Sequence, residues 1–172
     1  MGMDIYGNNT GTYFRRNVWG WRPLAELVCK LEPELTSACA HWYDNNGDGL
    51  KARASRQLAK SLQAQIASGR VGRLIAARNK ALASLPNERC SWCAGTGVRT
   101  DNAGIAGGQP TRVIGPATEA QPDHPRLGQT GWCNGCDGHG SKRPSATNYP
   151  LTVNDVREFA DFLADCGGFA IC

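Results

Sequence analysis

Residues 90–97 read CSWCAGTG and residues 133–140 read CNGCDGHG, one pattern, C-x-x-C-x-G-x-G, stated twice with 35 residues between the copies. Two thiolates two positions apart can face one ion, because the turn between them directs backbone N–H groups at the sulfurs. Glycines permit the positive φ values of that turn and keep side chains off the metal. Two such knuckles supply four sulfurs, which is the tetrahedral preference of Zn²⁺. The spacing therefore predicts that Cys90, Cys93, Cys133 and Cys136 hold one Zn²⁺ in a closed site that supports structure and does not activate water. A redox pair is the weaker reading, since a thioredoxin-like motif needs a single pair on a strand–helix turn, whereas both pairs here lie in Gly-rich loops. An iron cluster is weaker still.

The rest of the cysteine inventory agrees. Cys29, Cys39, Cys166 and Cys172 have no regular spacing, and such residues are usually small buried hydrophobes. The N-terminus shows no apolar run behind a basic start, which predicts a cytoplasmic protein whose thiols stay reduced. No stretch of 18 apolar residues is present, so no membrane helix is expected. With 172 residues and 41% hydrophobic side chains the chain can bury a core of ordinary size.

Periodicity places helices on both sides of the knuckles. A short strand is expected at 3–6, a turn at 7–9, a helix from Pro23 to about 31, and a second short helix over 34–42. In 51–68, Ala54, Leu58, Leu62 and Ile66 form an apolar stripe, and Gly69 ends the helix. In 71–85, Leu74, Ile75, Leu82 and Leu85 share a face, with Arg78 inside it, either snorkelling or paired with an acid. The two read as a helical hairpin. Thr152 with Asp155 resembles a capping box for a helix whose buried stripe is Val153, Val156, Phe159, Ala160 and Leu163. Gly167 and Gly168 stop it, and the terminal FAIC reads as a short strand. Residues 100–131 read as a Gly/Pro-rich loop in which only TRVI, 111–114, can be a strand.

The expected fold is thus a single α-rich α+β domain. Residues 1–89 form the aromatic N-terminal segment and a basic helical hairpin, 90–143 a zinc-binding insertion, and 144–172 a C-terminal helix packing on the 1–89 core.

Charge is unevenly spread. Net charge is +4, yet residues 51–89 carry nine basic side chains and one acid. Arg53, Arg56, Lys60, Arg73 and Lys80 fall away from the apolar stripes and are the candidate contact face for an acidic partner. The acids of the C-terminal helix offer a competing use for these cations, as partners within the fold. Tyr13, Phe14, Trp19, Trp21 and Trp42 alternate with Arg15, Arg16 and Arg22. That pattern suits base stacking, but better suits a small core with arginines at its rim. DNNGDGL, 44–50, matches half of an EF-hand loop, but Ser55 stands where the bidentate Glu belongs, so a polar turn is the better reading. His139 lies within the second knuckle and is expected to decorate it. No Ser-His-Asp order or phosphate-binding Gly loop is visible, and no catalysis is expected.

CSWCAGTG and CNGCDGHG resemble the cysteine-rich repeats of DnaJ-type (Hsp40) chaperones. Those proteins have four repeats and two zinc ions, against two repeats here, and this chain lacks a His-Pro-Asp segment. The resemblance implies the metal and the local fold. MGMDIYG, YFRRNVWGWRPL, NNGDGL, the two knuckles and VREFADFLADCGGFAIC together look like a family of uncharacterised small proteins of bacteria, prophages and phages. That resemblance brings no activity with it and implies a virus or mobile-element setting. Together with the small size and the absent catalytic set, this setting leads to the expectation of a non-enzymatic accessory factor that blocks a bacterial defence system, such as a CRISPR complex, by binding a protein or nucleoprotein in the host cytoplasm. The alternatives are a regulatory DNA- or RNA-binding protein, a chaperone-like module that holds unfolded chains, and an enzyme with an unread site.

Overall fold

The computed structural model describes residues 2–115 and 123–172; residues 116–122 of the Gly/Pro-rich stretch lie outside them. In chain order the elements are β1 (Gly2–Gly7), β2 (Tyr13–Asn17), α1 (Val18–Leu31), α2 (Pro33–Thr36), α3 (Ala52–Ala67), α4 (Arg70–Ala83), β3 (Glu88–Arg89), α5 (Asn102–Ala106), β4 (Ser141–Lys142), α6 (Val153–Asp165) and β5 (Phe169–Ile171). The fold is α-rich α+β, as the patterning predicts. The chain divides into two compact units, Met1–Ala83 with Ala146–Cys172, and Ser84–Ser145.

The first unit has an antiparallel sheet in the order β2-β1-β5, with Ile5 opposite both Phe14 and Ile171. Helix α6 packs along α3. The stripe residues Leu58 and Leu62 are buried, as are Val156, Phe159, Ala160 and Leu163 of α6. An aromatic cluster fills the centre. Phe159 meets Trp21 edge-on with ring centroids 5.5 Å apart, and Trp42 meets Phe169 at 5.9 Å. Both indoles are satisfied: Trp21 Nε1 donates to the Trp42 carbonyl at 2.6 Å, and Trp42 Nε1 to the Thr36 carbonyl at 3.1 Å. The core reading thus holds for Phe14, Trp21 and Trp42, while Tyr13 and Trp19 stay about half exposed. The capping box of α6 forms, with the Asp155 amide donating to Thr152 Oγ1 at 3.2 Å and the Thr152 amide to Asp155 Oδ2 at 2.7 Å.

Several boundaries differ from expectation. Helix α1 begins at Val18 because the Asn17 side chain accepts the Gly20 amide at 2.8 Å, so Pro23 lies inside the helix. YFRRN, read only as aromatic-rich, is β2. The helix expected over 34–42 is the single turn α2. Beyond it Asp48 Oδ2 accepts the amides of Ala40 and His41, and Asp48 Oδ1 accepts that of Gly49, which holds 40–49 as turns. DNNGDGL is therefore a polar turn. Its Gly49 passes so close to β5 that a Cβ would lie 1.9 Å from the Phe169 carbonyl oxygen. Helix α4 ends at Ala83, leaving Leu85 outside it and exposed. Among the described residues Arg78 joins no ion pair with an acid; its Nη2 donates to the Tyr149 carbonyl at 2.8 Å. TRVI makes one bridge, Val113 to Thr130, and the loop around it contains the short α5, capped by Asp101. No helix of the described residues is long and apolar enough to cross a membrane.

In the second unit, β3 and β4 pair antiparallel, Glu88 with Lys142 and Arg89 with Ser141. The Cys90 amide continues the ladder to the Gly140 carbonyl at 2.9 Å. This pairing sets the start of the first knuckle against the end of the second.

Candidate metal centre

The two knuckles share one backbone course. Ala94 and Asp137, the residues after the second cysteine of each pair, have φ of 47° and 50°; the following glycines, Gly95 and Gly138, have 81° and 74°, and Gly97 and Gly140 have 76° and 77°. The last glycine of each motif is needed twice over. A Cβ on Gly97 would lie 2.3 Å from the Gly138 oxygen, and a Cβ on Gly140 would lie 2.3 Å from the Gly95 oxygen. The knuckles pack backbone to backbone, and the repeat's glycines are what let them.

That approach brings the four sulfurs together. Cys90 Sγ is 3.9 Å from Cys133 Sγ, Cys93 Sγ is 3.7 Å from Cys136 Sγ, and all four lie within 4.8 Å of one another. All four residues are buried, at 0–7% exposure. A tetrahedral ion with metal–sulfur bonds of about 2.3 Å separates its sulfurs by about 3.8 Å. The amide of Gly97 donates to Cys93 Sγ at 3.3 Å and that of Gly140 to Cys136 Sγ at 3.2 Å, a matched pair of N–H···S bonds that favour thiolate over thiol. The sulfurs differ in their ease of ionisation. Burial opposes the Cys90 thiolate, but the amides of Cys93 and Trp92, together with neighbouring thiols, outweigh it and bring its pKa down to about 7. Burial pushes Cys136 up to about 12 and raises Cys133. Where burial opposes thiolate charge, as at Cys133 and Cys136, a bound cation offsets it. The four cysteines can hold a metal ion.

A second group of ligand atoms, on His124, Asp137 and His139, also lies within 4.8 Å, but His124 and Asp137 are engaged in hydrogen bonds. His124 Nδ1 accepts the Arg126 amide at 3.1 Å, which places the proton on Nε2, and Nε2 donates to the Asp137 carbonyl. Asp137 Oδ1 accepts the Trp132 indole N–H at 2.8 Å. His124 is a brace on the back of the second knuckle. Gly138 makes room for it, since a Cβ there would lie 3.1 Å from His124 Cε1. The sequence reading missed this buried histidine, which sits in a stretch without periodicity. His139 is exposed and decorates the turn.

The basic candidates all lie in the first unit. Arg53, Arg56 and Lys60 are exposed on α3, opposite Leu58 and Leu62, and Arg73 and Lys80 are exposed on α4. Arg73 Nη1 donates to the Ser68 carbonyl at 3.3 Å. Among the described residues none of the five joins an ion pair. The acids of α6 have another use: Asp155 and Glu158 both hold Arg16 of β2, the former at 3.0 Å.

Together these features define a tetracysteine knuckle unit inserted into an α-rich α+β unit that carries an uncompensated basic helical face. Comparison with protein-family models, with curated proteins and with solved structures found no match.

Proposed function

We propose that Cys90, Cys93, Cys133 and Cys136 hold one structural Zn²⁺ and that the chain is a non-enzymatic binding protein. The observation that carries this reading is the set of four buried sulfurs at tetrahedral spacing. Four thiolates complete the coordination of zinc and leave no position for water or substrate, so the ion's contribution is to folding. Zinc is favoured over an iron cluster because an inter-knuckle separation near 3.8 Å matches a single ion.

The binding surface in this reading is the face of Arg53, Arg56, Lys60, Arg73 and Lys80, and the partner is acidic. The resemblance to small phage and prophage proteins supports an accessory role in the cytoplasm, where the chain blocks a bacterial defence complex such as a CRISPR effector. That none of these five cations joins an ion pair among the described residues favours a second reading, direct binding of DNA or RNA for regulation. The test is plaque formation on CRISPR-immune hosts that express the chain or its Arg53→Glu/Arg56→Glu/Lys60→Glu variant. Restored plaques with the native chain and not with the variant support the defence reading. No restoration, with retention of free DNA that weakens steeply with salt, supports the second.

A further inference from the structure

Beside the second knuckle, within the second unit, lies a cleft of about 510 Å³, a volume typical of sites for small organic ligands. Its walls carry Asn87, Asn134, His139, Ser141, Lys142 and Arg143. The side chains of four of these, Asn87, His139, Ser141 and Lys142, make no hydrogen bond or ion pair among the described residues, and the His139 ring packs 4.2 Å from that of His124. Asn134 Oδ1 accepts Arg99 Nη1 at 2.9 Å, which fixes the amide. Arg143 Nη1 is anchored on the Leu85 carbonyl at 2.7 Å. The acids nearby are Asp137, whose Oδ1 is taken by Trp132, and Glu88, opposite Lys142 in the β3–β4 register.

An aromatic side chain backs one wall of the cleft and can report on its occupancy. Gly135 is part of the lining, and Trp92 packs directly against it, so that a Cβ on Gly135 would lie 2.6 Å from Trp92 Cε3. The indole is nevertheless 51% exposed. Its orientation is fixed from one side by the Arg99 guanidinium, 4.5 Å from the ring centroid and itself bound to Asp101 Oδ1 at 2.6 Å. Amide, hydroxyl and imidazole side chains that both donate and accept line this cleft beside Lys142, which joins no ion pair among the described residues.

We propose that this cleft binds a nucleotide, either free or as one unit of a single strand. Lys142 neutralises the phosphate, and Asn87, Ser141 and His139 address base and sugar edges. An acidic peptide would use the cations alone and leave the amide and hydroxyl groups without a role. The proposal concerns the second unit and is independent of the basic face on α3 and α4.

The test titrates the full zinc-loaded chain with labelled single-stranded RNA and DNA octamers, with mononucleotides, with inorganic phosphate and with a polyglutamate peptide, reading anisotropy and tryptophan fluorescence. The expected result is saturable binding with quenching of tryptophan emission, weakened at least about tenfold by Lys142→Glu, severalfold by Lys142→Gln and Asn87→Ala, and unchanged for a mononucleotide in the Arg53/Arg56/Lys60 reversal. Metal content is measured on each variant, so that a lost fold is not mistaken for a lost contact. An octamer at least about tenfold tighter than a mononucleotide identifies a strand as the ligand, and equal affinities identify a free nucleotide. The proposal is overturned if no nucleotide binds, if phosphate or polyglutamate competes as well as a nucleotide, or if both Lys142 variants bind like the native chain.

Discussion

At Gly140 a single missing methyl group decides whether the two knuckles can meet. The residue has φ of 77°, and a Cβ would stand 2.3 Å from the Gly95 oxygen. Gly140→Ala therefore strains its own backbone and pushes the knuckles apart. The expected cost is about 2 kcal/mol or more, read as at least a tenfold loss of zinc affinity in competition with a chromophoric chelator. Ala94→Gly, at a position where a non-glycine residue already tolerates φ of 47°, is expected to leave affinity near the native value. The repeat motif made the four cysteines and the need for glycine legible in the sequence. It did not disclose His124, because the contact between residue 124 and the second knuckle is made by a loop with no periodic pattern to read.

At the scale of elements, apolar stripes spaced for one helical face made α3, α4 and α6 readable, and the Thr152–Asp155 pair marked where α6 starts. Strand β2 was not readable: YFRRN places two aromatics before three polar residues, with no strand alternation, and its arginines read as the rim of a small core. Long-range pairing with β1 decides the matter. Pro23 misled the start of α1, because proline's preference for a first turn was outweighed by the Asn17 cap. Asp48 holds together the segment between α2 and α3. The amides of Gly49, Ala40 and His41 draw its carboxyl below the ordinary value of 3.8. Because the folded pKa is lowered, this stabilisation is fully present above the ordinary value and is lost as pH falls through the lowered one. Asp48→Asn should consequently lower the urea midpoint at pH 7, with the gap from the native chain closing as the pH drops below about 4. A gap independent of pH would contradict the assignment.

For the whole molecule the two units derive their stability from different sources. The first has a continuous apolar core with Trp21, Leu58, Leu62 and Phe159 fully buried. In the second, among the described residues, the buried hydrophobic cluster consists of the four cysteines. Chelation is therefore expected to act on one unit. Hydrogen exchange followed by mass spectrometry should show residues 84–115 and 123–145 losing protection when zinc is stripped, while α3 and α6 keep theirs. Uniform loss, or none, would contradict a metal-dependent unit inserted into an independently stable one. The sequence made the class of fold readable. The division at residues 83/84 and 145/146 was less so, because β3 and β4 are two residues each and too short to carry a pattern.

The most direct measurement is metal analysis of the purified chain combined with zinc-edge X-ray absorption. The expected result is one Zn²⁺ per chain, surrounded by four sulfurs at about 2.3 Å. A substoichiometric ion, or a first shell with nitrogen or oxygen in place of one of the sulfurs of Cys90, Cys93, Cys133 and Cys136, would contradict the closed tetrathiolate centre.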